Sequence, residues 1–312
     1  MHSVEIPLEC TSEEAWDFQL KREEKDVAVT TYSRIPLSNS ASDICKRLLT
    51  AERQLVPNGN YIDGSARTSD QLLVLRGLSR VLLTAEHATD QIRTREDRPI
   101  PRKEADYGTG ALSKVVAEDT NSSAIITLGR QTGDANDDPA HLFKYAMTEI
   151  IALPENRAHL AMHLLFRGRA SQLKAERGYS AMLGIGDKPS DATKALTDFM
   201  IEIGNDLGLK VDINRPHFNF DDAHNLMLND DGTVRSVTYA ARGANTTRTH
   251  SQNIAEQLGK GDSYAAVQVE LNEALLVRQD NKIEYPTRID RELGAYIGYL
   301  FVRKAAESVK RL

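Results

Sequence analysis

Short aliphatic runs alternate with longer stretches of helical periodicity from residue 71 to the end of the chain, and this alternation restricts the possible folds most strongly. Short apolar runs of this kind are typical of buried strands. Because parallel strands need helical crossovers between them, the pattern favours a largely parallel sheet covered by helices. The predicted strands cover 80–84, 124–128, 159–163, 208–213 and 264–269, and the predicted helices cover 108–118, 140–152, 190–206 and about 288–309.

Residues 1–70 differ from this pattern. They include a serine-rich stretch at 33–42 and a cluster of Pro, Gly and Asn turn formers at 56–65. We therefore predict a peripheral N-terminal extension over 1–70 and an α/β domain over 71–312. Within that domain, 229–259 is rich in Gly, Asn and Thr, and we interpret it as a long loop with room for a hairpin. Loops of that length in compact domains are often functional.

Charge and hydropathy exclude several classes of function. The chain carries 39 Lys and Arg against 45 Asp and Glu, a net charge of −6, which argues against a surface dedicated to nucleic acid or anionic membranes. Its longest apolar stretches, such as 72–75 and 296–302, are far shorter than the roughly 18 residues of a membrane span. The first residues also show no secretion signal. We therefore expect a cytoplasmic protein that binds a small molecule.

Polar side chains follow the first predicted strand, at the position where open α/β sheets bind their ligands. This strand runs directly into Glu86, His87 and Asp90. His87 and Asp90 stand three residues apart, close to the His-x-x-Glu spacing of zinc carboxypeptidases. The alternative is structural, with Asp90 capping a helix and His87 bonding to the turn. The spacing alone leaves both interpretations open.

Two further candidates are an aspartate before a predicted helix and a histidine at a strand end. Asp106 could cap the backbone amides of the helix, which is the commoner role, or turn toward a metal. His159 and His163 share one face of their strand, and His163 is better placed to reach a site at the strand exit. A histidine at a strand end is more often structural than a ligand.

Glu270 and Arg130 complete the set of candidates. Glu270 ends an apolar strand, where a carboxylate is costly unless it has a partner. It could act as a general base on a metal-activated water, or form a salt bridge with an arginine. Arg130 follows another strand and could bind a carboxylate in a bidentate manner, or pair with Asp134.

Taken in order, these segments resemble the N-formylglutamate amidohydrolase family of zinc-dependent amide hydrolases, over roughly residues 80–280. The matching segments, in chain order, are Glu86-His87-Ala88-Thr89, Asp106 with Leu112, Gly129-Arg130 through Asp134 and Asn136, Met162-His163, Asn214-Arg215-Pro216-His217-Phe218 and Gln268-Val269-Glu270. Two positions depart from the family pattern. Gly129 replaces a serine and Asp137 replaces an arginine, which removes a positive charge and argues against formylglutamate itself as substrate.

The resemblance implies an α/β fold of the zinc exopeptidase and phosphorylase type, with a mixed, mostly parallel central sheet and helices on both faces. It also implies a zinc-dependent hydrolase. In this hypothesis one Zn²⁺ per chain is bound by His87, Asp106 and His163, with Asp90 and Glu86 as reserve ligands. Glu270 is the general base. Arg130 stabilises the oxyanion or binds a substrate carboxylate, and Asn136 contributes to substrate binding.

The predicted reaction is cleavage of the amide bond of an N-acyl amino acid or a related small amide. Two alternatives remain at this point. One is a carboxypeptidase-like or deacylase activity on a peptide or cell-wall fragment, with the same metal. The other is a binding module that has kept the fold and lost catalysis, because a fold is retained more easily than a function.

Overall fold

The protein is described by a computed structural model, which covers residues 21–22, 25–29, 41–57, 61, 71–92, 94–95, 98–99, 105–165, 180–213, 216–218, 236–238, 241, 243, 245–279 and 291–312. The strands, in chain order, are β1 (Lys21–Arg22), β2 (Lys25–Val29), β3 (Gln71–Leu75), β4 (Val81–Ala85), β5 (Gln91–Ile92), β6 (Thr94–Arg95), β7 (Arg98–Pro99), β8 (Ser123–Leu128), β9 (Gln131–Thr132), β10 (Ala158–Leu164), β11 (Ser180–Gly184), β12 (Lys210–Ile213), β13 (Pro216–Phe218), β14 (Ser236–Thr238) and β15 (Ala265–Leu271). The helices are α1 (Ala41–Leu55), α2 (Thr109–Thr120), α3 (Leu142–Ile151), α4 (Asp191–Asp206), α5 (Thr247–Gln257) and α6 (Arg291–Ser308).

A nine-stranded sheet forms the centre of the molecule, in the order β1-β2-β3-β8-β4-β10-β15-β11-β12. Its four middle strands, β8, β4, β10 and β15, are mutually parallel. The β2–β3 and β11–β12 pairs are also parallel, whereas β1–β2, β3–β8 and β11–β15 are antiparallel. The predicted mixed, mostly parallel sheet is therefore confirmed.

Helices cover both faces of the sheet because neighbouring strand residues point to opposite sides. Leu83, on one face, belongs to the apolar core built with α1, α2, α4 and α6. Leu82, on the other face, packs in a second core with α3 and α5. This arrangement also agrees with the prediction. None of the described helices combines the length and apolar character that a membrane crossing needs.

The predicted strands and helices listed above all correspond to observed elements, with ends shifted by a few residues. The prediction of a long loop over 229–259 is wrong in its second half, where α5 forms. The side chain of Thr246 caps this helix by accepting a hydrogen bond from the backbone N–H of Thr249. The buried side of α5 consists mainly of small and polar residues, Thr247, Ser251 and Ala255 among them, so it shows no apolar periodicity.

Helix α1 lies within the stretch predicted to be a peripheral extension, yet it belongs to the main core. Ile44, Leu48 and Leu55 are buried with residues of the sheet and of the other helices on that face. α1 packs against α2 and α6. The boundary at residue 70 stays a prediction, but the described residues 41–57 are integrated with the α/β domain.

Candidate metal centre

The centre lies at a topological switch point of the sheet. From β4 the chain passes through α2 to β8 on one side, whereas β10 is followed by strands on the other side. A crevice forms between the carboxyl ends of two adjacent strands when their connections leave in opposite directions. Glu86 and His87 follow β4 directly, and His163 lies at the end of β10. These residues therefore flank the crevice.

Three buried side chains converge there: His87, Asp106 and His163. Each offers one ligand atom, and these atoms lie within 4.8 Å of one another. Asp106 Oδ2 is 3.3 Å from Nδ1 of His87 and 3.4 Å from Nδ1 of His163. A tetrahedral zinc ion with bonds of about 2.0–2.2 Å spaces its donor atoms about 3.3–3.5 Å apart. The two distances from Asp106 lie in that range, so the cluster has the donor set and two of the spacings of a metal site.

Each imidazole of the centre has a carboxylate at its far nitrogen. Asp134 Oδ1 lies 2.9 Å from Nε2 of His87, and Glu86 Oε2 lies 3.4 Å from Nε2 of His163. Asp134 is hydrogen-bonded to His87, whereas Glu86 and His163 form an ion-pair contact without hydrogen-bond geometry. A hydrogen-bonded outer carboxylate fixes the tautomer and orientation of a ligating histidine and raises its basicity. Both Nδ1 atoms are presented to Asp106. Glu86, predicted as a reserve ligand, lies behind His163.

The backbone around Asp106 is held by several hydrogen bonds. The N–H of Asp106 donates to the carbonyl of His87 at 2.7 Å, and the hydroxyl of Thr109 donates to the carbonyl of Asp106 at 2.6 Å. The cap of α2 is Gly108, which has no side chain to bond. The cap residue of α2 is therefore Gly108 and not Asp106, and metal binding by Asp106 stays a prediction.

Gly108 is required by both conformation and space. Its φ is 76°, in the left-handed region, and an added Cβ would lie 2.6 Å from the carbonyl oxygen of Val277. The left-handed conformation alone costs an alanine roughly 1–2 kcal/mol. Because the added Cβ also clashes with Val277, Gly108→Ala should lower the free energy of unfolding by more than this amount. Urea unfolding measures this, with Gly208→Ala as control, because Gly208 has φ 69° and nothing within 4 Å of an added Cβ. Equal losses in the two variants would contradict the predicted clash.

Glu86 is a fully buried carboxylate. Burial by itself raises its pKa, but the charge of His163 and the hydrogen bond from Thr84 are among the effects that outweigh burial, so the pKa lies below its usual value of 4.5. The Thr84 hydroxyl donates to Glu86 Oε1 at 2.8 Å. Glu86 is therefore ionised and can only accept hydrogen bonds.

Arg130 and Asp90 pair with each other. Nε of Arg130 donates to Asp90 Oδ2 at 3.0 Å, and both side chains are buried. Asp134, the alternative partner, contacts His87 instead. Asp90 is not in the ligand cluster found among the described residues, so its predicted reserve role is not supported. Among those same residues, Nη1 and Nη2 of Arg130 have no hydrogen-bond partner.

Glu270 lies on β15, directly beside His163 in the register of the two parallel strands. Residues paired in this way point to the same face of a sheet. Glu270 is 9% exposed, and Gln268 Nε2 is 3.4 Å from its Oε1. The structure therefore brings Glu270 to the same edge and face of the sheet as His163.

Comparisons with known proteins give distant likenesses. No protein-family model matches the sequence, and no curated protein matches it either. Among solved structures, N-formylglutamate amidohydrolase from Ralstonia eutropha JMP134 is similar at 11% identity and a TM-score of 0.45, over 77% of this chain and 98% of that chain. A dinuclear metal binding peptidase of the M20 family from Bacillus subtilis has 10% identity and a TM-score of 0.31, over 88% and 100% of the two chains. These scores are too low to transfer a site or an activity.

Asn136, which is predicted to bind substrate, makes structural contacts within the protein. Its Oδ1 accepts hydrogen bonds from the backbone N–H and the hydroxyl of Thr247, at 3.0 and 3.1 Å. Nζ of Lys144 donates to the carbonyls of Asn136 and Asn245. Asn136 thus joins the loop after β8 to the start of α5, and its contact with substrate stays a prediction.

Sequence reasoning missed Thr84, Lys144 and Thr247. Burial lowers the pKa of Lys144 to about 8, while the negative charge of Glu86 raises it. Thr84 precedes Glu86 by two residues on β4. Alternation along the strand places such residues on one face, so this signal was present in the sequence. Lys144 and Thr247 act on residues distant in the chain, and no local pattern indicates them.

Proposed function

We propose that the protein is a zinc-dependent hydrolase that cleaves the amide bond of an N-acyl amino acid or a related small amide. The observation that carries the proposal is the convergence of His87, Asp106 and His163 at donor distances of 3.3 and 3.4 Å, which suit tetrahedral zinc. Two imidazole nitrogens and one carboxylate are ligands of catalytic zinc sites. When bound, the ion would supply Lewis-acid chemistry, polarising the scissile carbonyl and activating water.

Glu270 is assigned the proton transfer. Its position beside His163 places a carboxylate at the same edge and face of the sheet as the ligands. In hydrolysis, water adds to the acyl carbon and the C–N bond breaks, giving a carboxylic acid and an amine. Glu270 would accept a proton from the attacking water and donate it to the leaving nitrogen.

Arg130 is assigned the binding of a substrate carboxylate. Asp90 holds its Nε, so the guanidinium is fixed in a buried environment. Its two Nη groups form a fork that matches the two oxygens of a carboxylate. The loop that carries Arg130 also carries Asp134, the outer partner of His87. The proposed carboxylate-binding residue and an outer partner of the metal centre thus lie on one segment of the chain.

Metal content tests the proposal most directly. We expect about one zinc per chain in untagged wild-type protein, measured by plasma mass spectrometry, because catalytic zinc sites use three protein ligands. His87→Ala and His163→Ala should each lose the metal, whereas His250→Ala, on α5 and outside the ligand cluster, should retain it. Wild-type protein that stays metal-free after zinc supplementation would overturn the proposed function.

The Arg130→Lys variant tests the substrate class. Lysine keeps the charge but loses the fork, so KM for N-acyl amino acids should rise about 10–100-fold, as expected for losing one charged hydrogen bond. The same substrates with an amide in place of the carboxylate serve as control, and both proteins should turn them over equally. An equal loss on both substrates would mean that Arg130 acts on the acyl group or on the fold.

A further inference from the structure

A continuous chain of polar contacts runs from α5 through the sheet to the metal centre. His159 lies on β10, four residues before His163, and is completely buried. Its Nδ1 is 2.9 Å from Ser251 Oγ, and its Nε2 is 2.7 Å from Thr84 Oγ1. Thr84 contacts Glu86, and Glu86 contacts Nε2 of His163. His159 is therefore joined to a candidate ligand through two side chains.

The direction of each proton along this chain follows from the Thr84 hydroxyl. This hydroxyl donates to Glu86 Oε1 at 2.8 Å, and it has a single proton to give. Thr84 Oγ1 can then only accept from His159, which requires a proton on Nε2. At the far end, Ser251 lies between Nδ1 of His159 and the carbonyl of Arg248, 2.8 Å away. In a neutral ring with its proton on Nε2, Nδ1 is an acceptor, so the Ser251 hydroxyl donates to it.

We infer that His159 is a positioning residue of the metal centre: its Nε2–H directs the Thr84 hydroxyl to Glu86 and so holds Glu86 behind His163. The inference rests on the proposed function, because it gives His159 a role only if His163 binds metal. A buried histidine that merely satisfies its neighbours would stabilise the fold without affecting the metal. The two roles therefore differ in what they predict for zinc affinity.

The surroundings of His159 favour a neutral ring with one fixed tautomer. Burial lowers its pKa to about 3, and the charges of Lys144 and His250 act in the same direction against that of Glu86. In a dry environment, hydrogen bonds along such a chain strengthen one another. Loss of the Nε2 donor would leave Glu86 less firmly oriented, although no atom that touches the metal changes.

Zinc affinity of variants at position 159 tests the inference, measured by competition with a chelator on folded apo protein. His159→Leu removes the donor and should weaken zinc binding about tenfold, at the lower end of the effect of losing an outer partner. His159→Gln retains an N–H at a similar reach and should stay within about threefold of wild type. His250→Leu is the control, because His250 lies beside Ser251 but outside the chain, and its affinity should not change.

Several results would overturn the inference. If His159→Leu folds and binds zinc within about twofold of wild type, His159 is structural only. If that variant does not fold, Thr84→Val carries the same test, since valine matches the shape of threonine without the hydroxyl. Nitrogen-15 NMR of the apo protein that places the proton of His159 on Nδ1 alone would also contradict it. If wild-type protein binds no zinc, the proposed function is overturned together with this inference. If wild type and His159→Leu bind zinc with equal affinity, only the inference is overturned.

Discussion

Glu270→Gln is expected to bind zinc as wild type does and to lose most of its turnover. General acid–base catalysis contributes about 10²–10⁴-fold, so kcat for an N-acyl amino acid should fall by that factor. Glutamine has nearly the same size as glutamate and can still contact Gln268, but it cannot accept a proton from water. The ligands His87, Asp106 and His163 are untouched in this variant. KM should therefore change little.

Steady-state kinetics and zinc content, measured on the same preparation, check this prediction. Glu256→Gln makes the same change of charge at an exposed position on α5 and should keep wild-type kcat. Loss of zinc from Glu270→Gln would identify Glu270 as a ligand instead of a base. Unchanged kcat with zinc bound would remove Glu270 from the mechanism.

The sequence could predict where the site lies because of the geometry of parallel strands. Their carboxyl ends meet at one edge of the sheet, so polar residues that follow separate aliphatic runs are brought together. His87 and His163 are 76 residues apart in the chain and converge for this reason. The order of the strands therefore predicts that these residues lie close together, even though no short motif in the sequence identifies the site.

The roles of individual carboxylates were harder to predict. Asp106, Asp90 and Glu86 were all candidate ligands, and the sequence could not separate them. Their roles depend on contacts with residues far along the chain, such as the pairing of Asp90 with Arg130. The cap residue of α2 is Gly108, whose backbone is left-handed. A glycine allows this conformation but does not require it, so the sequence alone could not show that Gly108 and not Asp106 is the cap.

Helices α1 and α5 show two different reasons for a missed element. In α1, Ile44, Leu48 and Leu55 recur at helical spacing, so the signal was present but was outweighed by the turn formers on either side. In α5 the buried residues are mainly small or polar, and two of them, Ser251 and Thr247, bond to the buried polar side chains of His159 and Asn136. A helix that supports a polar site lacks the apolar stripe by which helices are recognised.

The free energy of unfolding of Glu52→Gln, compared with that of wild type, is expected to be higher at alkaline pH than at acidic pH. Glu52 lies on α1, is almost completely buried, and accepts a hydrogen bond from the backbone N–H of Gly108 at 3.0 Å. Burial raises its pKa from 4.5 to about 7, and the hydrogen bonds from Gly108 and Tyr61 and the charge of Arg278 only partly oppose this. Between these two pH values the folded protein binds more protons than the unfolded chain. The contribution of Glu52 to stability is thus complete below pH 4.5 and is lost as the pH rises through 7.

Glutamine removes this pH dependence while its Oε1 can still accept from Gly108. The free energy of unfolding of Glu52→Gln, relative to wild type, should therefore rise by roughly 2.5 kcal/mol between pH 5 and pH 8, because each unit of pKa difference corresponds to about 1.4 kcal/mol. Urea unfolding of both proteins at the two pH values measures the difference. Glu52→Leu is the control, because it removes the acceptor as well as the charge and leaves the N–H of Gly108 buried without Glu52. Parallel pH profiles for wild type and Glu52→Gln would show that Glu52 is ionised throughout, and that α1 presents a charged carboxylate to the loop that carries Asp106.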